Sequence, residues 1–255
     1  MRFVKPMTII VLISSCLLSG CMSETEEPVV KPPADVKSVK PVKEKNEVEE
    51  FLIKEPSKDA DTPGKAAVEQ IQLTFKNGQT AVPTEDDVLS EAILGQQAIV
   101  SLHSPKGQND YMVLFYERID RWRLTGILPV TGPDKNGSSK SRGLKLPFST
   151  FRSGEMTWRD TKEAPTTWAF AGKQAIITVS KLSQQTIDDN QSAVVTLSNG
   201  IEAYIRETKR ETSLSYQDGE QTVLLAGNVS VTSLKTLAES LPSVSSLSFP
   251  YAETE

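Results

Sequence analysis

Two cysteines, one histidine and a few clustered carboxylates are the groups in this 255-residue chain that could carry conventional side-chain chemistry. His103 ends an apolar run beside the turn Ser104-Pro105-Lys106-Gly107. A lone imidazole can serve as a general base, but here it has no second histidine and no cysteine to activate, so it reads as a strand-end surface residue. Glu155, Asp160 and Glu163 form the densest acidic group near aromatics, and Asp188-Asp189 is the next. A hydrolase built on them would need a carboxylate acid and a carboxylate base; acidic clusters in an acidic chain read more simply as solvated faces. Asp188-Asp189-Asn190 lacks the central glycine and distal glutamate of a calcium loop and reads as a turn. Gly132-Pro133-Asp134-Lys135-Asn136-Gly137 has the glycine spacing of a phosphate loop, but Ser138-Ser139 stands where lysine and Ser/Thr must follow. Pro147 also denies the helix that would face the phosphate, which leaves a solvated basic linker. No Gly-x-Ser-x-Gly follows a strand. No catalytic residue and no metal site is assigned.

Cys21 has a more specific setting. Arg2 and Lys5 precede an apolar run over 7–18, and Leu18-Ser19-Gly20-Cys21 closes it with small residues ahead of the thiol. That run is short of the roughly 20 residues needed to span a bilayer core. Basic start, apolar middle and closing tetrapeptide, in that order, resemble the lipobox signal peptides of bacterial lipoproteins. The resemblance covers residues 1–21. It implies cleavage just before Cys21 and a diacylglycerol on its sulfur, with or without an added N-acyl chain. One acyl chain binds a membrane only marginally, so two or three make a stable anchor. The competing reading is an ordinary secretory signal with an incidental cysteine.

Composition narrows the rest. Removing residues 1–20 takes Arg2 and Lys5 away and moves the formal charge from −5 to −7. An acidic body argues against a nucleic-acid partner, since phosphate backbones are met by clustered Lys and Arg. Cys16 leaves with the signal and Cys21 is acylated in this reading, so the folded part holds no thiol for disulfides, thiolate catalysis or thiolate metal sites. A single histidine likewise excludes a several-histidine metal centre.

These few groups must be positioned by a body that begins late. Over 21–65, Pro28, Pro32, Pro33, Pro41, Pro56 and Pro63 recur among Lys and Glu, which predicts an extended tether. Within it, 47–54 has a small amphipathic pattern that predicts a nascent helix, with a partner-docking segment as the alternative. Order is expected from Ala66. Ile71, Leu73 and Phe75 alternate with polar residues before Asn77-Gly78, a hairpin signal. Thr84-Glu85-Asp86-Asp87 resembles a helix start, with Val88, Leu89, Ala92 and Ile93 on one face and Gly95 at the end. Strands are predicted over 98–102, 111–116, 122–130 and 175–179. Val195 and Leu197, then Asn199-Gly200, then Ile201, Ala203 and Ile205 make a second hairpin. Leu214 and Tyr216 start another strand, and 222–226 returns after Asp218-Gly219. Leu234, Leu237, Ala238 and Leu241 recur at helical spacing, capped by Thr232 or Ser233 and stopped by Pro242.

The fold class that follows is α+β, antiparallel and β-rich, in two small subdomains. The first spans 66–132, a linker loop 133–147, the second 148–244 with its C-terminal amphipathic helix, and a tail 245–255. Phe148, Phe151, Met156, Trp158, Trp168 and Phe170 either found the second core or line an apolar groove.

Asn199-Gly200-Ile201-Glu202-Ala203-Tyr204, Leu214-Ser215-Tyr216 and Leu237-Ala238-Glu239-Ser240-Leu241 resemble a domain of uncharacterised function found at the C-termini of extracytoplasmic lipoproteins and anti-sigma-like proteins of spore-forming Gram-positive bacteria. Members more often carry tryptophan where Tyr216 stands, and isoleucine before Ala-Glu-Ser. The resemblance implies a curved antiparallel sheet closed by a helix, distantly like lipoprotein carriers, and supplies no catalytic residues. The expectation is a non-enzymatic binding or interaction module tethered to the cell membrane on its extracytoplasmic face. Its partner would be an envelope protein or an apolar ligand, with no cofactor beyond the acyl groups. In the carrier version Trp158, Trp168 and Phe170 would hold the ligand.

Overall fold

The computed structural model describes residues 48–105, 110–134, 137–157, 165–185, 187 and 192–252. The signal, Cys21 and most of the expected tether lie outside the described residues, as do Trp158, Asp160, Glu163, Asp188 and Asp189.

Strands β1 (Val48–Ile53), β2 (Ile71–Phe75) and β3 (Thr80–Ala81) form one antiparallel sheet in that order. Strands β4 (Val88–Leu94), β5 (Gln97–His103), β6 (Asp110–Arg118) and β7 (Trp122–Thr131) form a four-stranded meander. The remaining strands are β8 (Arg152–Thr157), β9 (Thr166–Ala171), β10 (Ile176–Ser183), β11 (Ala193–Thr196), β12 (Glu202–Glu207), β13 (Thr212–Asp218) and β14 (Gln221–Gly227). They pair antiparallel in the order β11-β12-β13-β14-β10-β9-β8. Helix α1 (Pro63–Gln70) precedes β2, and α2 (Val231–Ala238) follows β14.

Strand alternation builds the stack. On β6, Met112, Leu114 and Tyr116 face a core shared with Ala66 and Ala67 of α1 and Leu73 and Phe75 of β2. The intervening Tyr111, Val113 and Phe115 face the seven-stranded sheet, where Ala169, Ala171, Ile176, Leu224 and Ala226 meet them. The opposite face of that sheet carries Trp168, Phe170, Val179, Leu214, Val223 and Leu225, covered by Leu234 and Leu237 of α2. Period-2 patterning therefore buries both faces of the two central sheets. Each large aliphatic or aromatic side chain so buried contributes about 1.5–3 kcal/mol of transfer free energy. The seven-stranded face that meets the meander mixes Ile176, Leu182 and Leu224 with small residues, among them a buried Thr167–Ser180 hydroxyl pair at 2.8 Å.

Several expectations are corrected. Within the run 47–54 read as a nascent helix, Val48–Ile53 is instead strand β1, because so short a segment cannot nucleate a helix alone while β2 offers it an edge to pair with. Regular structure thus starts before Ala66, and α1 opens on Thr62, whose Oγ1 accepts from the Lys65 N–H, with Pro63 in the first turn.

The helix expected after Thr84 is a single 3₁₀ turn, Glu85–Asp87, followed by β4. The Thr84 N–H does donate to Asp87 Oδ2 at 2.7 Å. Beyond it, however, Val88, Ser90, Ala92 and Leu94 are buried in strict alternation, so the two-residue period wins. Gly95, at φ +59°, turns β4 into β5 instead of ending a helix.

At the other end, the α2 cap is Ser230, whose Oγ accepts from the Ser233 N–H. Within the segment 245–255 read as a tail, Phe249 is instead buried edge-to-face on Trp168, with centroids 5.4 Å apart, and Tyr251 lies against Phe170.

Candidate functional site

The residues singled out from sequence do not converge. Trp168 and Phe170 are core side chains, held by Phe249, Phe151 and Tyr251. Neither lines the clefts described below, and Trp158 lies outside the described residues. His103 ends β5 with its ring edge-on to Tyr111 at 5.6 Å. Glu155 is exposed on edge strand β8. In the 132–143 loop, Asp134 pairs with Arg152 at 3.1 Å and Arg142 stacks over the Tyr251 ring, so described parts of that loop are spent on internal contacts. Among the described residues no cluster of three or more His, Cys, Asp or Glu could hold a metal ion.

What the fold does build is a cleft of about 380 Å³ where the meander stops covering the seven-stranded sheet. Its floor is the extension of the sheet face that meets the meander. Tyr204 and Arg206 on β12 stand opposite Ser215 and Ser213 on β13, with Leu224 beyond on β14. Their neighbours Ala203, Ile205, Leu214 and Tyr216 point the other way, into the core under α2. One wall is the β4–β5 hairpin, through Ile93, Leu94 and Gly95. Arg118, at the end of β6, is among the lining residues; its backbone N–H donates to Gln96 O at 2.7 Å, and its guanidinium rests over the Trp122 ring, 5.5 Å from the centroid.

The two arginines are held differently. Arg206 Nη1 donates to Ile93 O at 3.3 Å and lies 3.7 Å from Glu211 Oε1. Glu211 in turn accepts from the Ser213 hydroxyl at 3.2 Å. Burial raises the Glu211 pKa above the ordinary carboxylate value, while Arg206 and the hydrogen bonds pull the other way. Arg118 makes no carboxylate ion pair among the described residues. The described lining residues include Arg118 and Arg206 and no Asp or Glu; Asp188 and Asp189, which follow the lining residue Ile187 in sequence, lie outside the described residues.

Behind the cleft the two sheets are locked by a polar seam. The Glu91 N–H donates to Arg210 O at 3.0 Å, and Arg210 Nη2 meets Glu85 Oε2 at 2.8 Å. The Glu91 carboxylate accepts from the Gly64 N–H at 2.6 Å. Burial raises the Glu91 pKa as well, against those hydrogen bonds.

A second cleft, of about 350 Å³, lies between β1 and the far end of the meander, lined by Val48, Phe51, Ser104, Met112 and Pro129 among others. The Ser104 hydroxyl is buried there.

Sequence reasoning missed the arginine cleft. The alternation on β12 separates Tyr204 and Arg206 from Ala203 and Ile205, so it could have flagged a polar face. Nothing local says that a second sheet covers part of that face and leaves the rest as a recess. No protein-family model, no curated protein and no solved structure matches the chain.

Proposed function

We propose that the protein is a lipid-anchored extracytoplasmic lipoprotein whose folded body is a non-enzymatic binding module at the cell envelope. The observation that carries this reading is the ordered set Arg2/Lys5, the apolar run 7–18 and Leu18-Ser19-Gly20-Cys21. The resemblance of the second half to an extracytoplasmic lipoprotein domain belongs to the same proposal, as does its description as a subdomain closed by the C-terminal helix. Proline-rich sequence between Cys21 and β1 would set the body off from the membrane as a spacer. The cleft over β12 and β13 is the surface such a module would use, since it is concave and polar. In the carrier alternative, Trp168 and Phe170 would be the ligand's walls, but both rings are taken up by neighbouring aromatics, so no observation favours it.

Metabolic labelling with a fatty-acid analogue in a bacterial host, with membrane fractionation of wild type and Cys21→Ala, tests the anchor. Label on the wild type alone, together with loss of the variant from the membrane fraction, is the expected result. Equal distribution of both would overturn it.

A further inference from the structure

We propose that β11 is a self-pairing edge, through which two copies of this chain join their seven-stranded sheets into one antiparallel sheet. This goes beyond the binding-module reading and stands on the edges of the sheets themselves. β11 pairs with β12 on one side and with no described strand on the other. Where the hairpin closes, the Leu197 N–H donates to Ile201 O at 2.9 Å. Counting back along the antiparallel ladder, the N–H and C=O groups of Val195 and Ala193 face β12, and those of Val194 and Thr196 face outward.

Every other described outer strand carries a feature that discourages pairing with a further strand. β1 bears Glu49 and Glu50, with a register shift between Val48 and Glu50. β3 is two residues long. The outer side of β4 is engaged, because the Glu91 N–H donates to Arg210 O at 3.0 Å. β7 carries Arg123 and Pro129. β8 carries Arg152 and Glu155 and lies against β7, where a Cβ on Gly154 would meet Leu128 and Val130. β11 has no charge, no proline, no glycine and no register shift, and its Val194 is 55% exposed.

The occupant follows from that neutrality and from symmetry. The four residues of β11 offer no charge to select a charged peptide, and set against their own copy they place no like charges opposite one another. A two-fold axis at Val194 or Val195 lets the outward groups of each strand pair with those of the other, and gives Val194 an apolar neighbour. Antiparallel pairing also sends the segments ahead of the two strands, with Asp188 and Asp189 outside the described residues, to opposite ends of the joint. Neighbouring layers leave room, since α2 and β4 both pack on β13 and β14, inboard of the edge. With the other described edges blocked, pairing closes at two chains instead of growing into a filament. Tyr204 stands opposite Val194, so the cleft floor runs to this edge and the two recesses would share one face of the joined sheet.

A four-residue joint is small, so disulfide trapping is the sensitive test. Val194→Cys and Val195→Cys are made separately in the full-length chain, kept in nonionic detergent and oxidised mildly, and two-chain species are read on non-reducing gels. Wild type sets the background from Cys16 and Cys21, and Glu220→Cys, in the exposed turn before β14, is the control for random collision. One of the two β11 variants is expected to link at least about tenfold faster than Glu220→Cys, because residues on the axis face their own copy within disulfide reach. Linkage at Val194 marks the axis there, and linkage at Val195 marks it one residue on. Adding Thr196→Pro removes an outward N–H that the monomer's own ladder does not use, so it should abolish the excess rate while leaving the urea midpoint close to that of its parent. Linkage of neither variant above the control rate, or linkage indifferent to Thr196→Pro, would overturn the proposal. Neither result bears on acylation of Cys21, so failure here leaves the anchored-module reading standing, and failure of the anchor leaves this one.

Discussion

Arg206 on β12 donates to the carbonyl of Ile93 on β4 at 3.3 Å, joining the seven-stranded sheet to the meander at the mouth of the cleft. The same guanidinium is the countercharge of Glu211, a carboxylate with little exposure. Arg206→Ala therefore removes a hydrogen bond and strands a buried charge together. The expected loss is about 1–3 kcal/mol in urea unfolding, with part of it restored in Arg206→Ala/Glu211→Gln. Full loss in the double variant would mean that the arginine acts through packing instead.

Glu91 and Glu211 set a pH dependence. Burial raises both above their ordinary value of 4.5 in the folded protein. Between 4.5 and the raised values the folded state holds more protons than the unfolded one, so stability falls as pH rises through that window and the full penalty persists above it. Glu85 has the opposite sign: its hydrogen bond to Arg210 lowers its pKa, so its contribution is lost only as pH drops below the ordinary value. Urea midpoints measured from about pH 4.5 to 7 should decline, and Glu91→Gln and Glu211→Gln should each flatten the decline. An unchanged slope in both variants would contradict this assignment.

Gly227 is fixed by close approach. A Cβ there would meet Ile176 O and Ile177 Cα on the neighbouring strand β10. Backbone cannot yield as a side chain does, so Gly227→Ala should cost about 1–3 kcal/mol. Gly219→Ala is the contrasting case: its φ of +60° strains any L side chain, yet no atom lies near, so a cost of about 1 kcal/mol is expected. Chemical denaturation of the two variants side by side checks the order.

Phe249 ties the C-terminal segment to the core through Trp168. Phe249→Ala should destabilise by about 3 kcal/mol and shift tryptophan emission to the red as water reaches Trp168. Emission unchanged from wild type would place the segment outside the core.

How much of this could be read from the chain depends on the range of each interaction. The hairpins at Asn77-Gly78, Asn199-Gly200 and Asp218-Gly219 were legible because turn chemistry is local, and their glycines do take positive φ. The strands around Tyr111–Tyr116 and Ile177–Val179 were legible as apolar runs. The stretch after Thr84 was misread because Val88, Leu89, Ala92 and Ile93 fit a helical face as well as Val88, Ser90, Ala92 and Leu94 fit a strand face. Pairing with β5 decides between them, and that contact is not in the local pattern. Val48–Ile53 and Phe249 were assigned to tether and tail for the same reason: their partners, Ile71–Phe75 and Trp168, are remote in sequence. The arginine cleft required the stacking of two sheets and so stayed hidden, although the alternation of Tyr204 and Arg206 with Ala203 and Ile205 puts the two on one face of β12.

The most direct test of the central proposal is mass spectrometry of the N-terminal peptide of the mature protein isolated from a bacterial membrane. The account predicts a chain beginning at Cys21, with diacylglycerol on its sulfur. A chain that retains residues 1–20, or one that begins elsewhere with an unmodified Cys21 thiol, would contradict it.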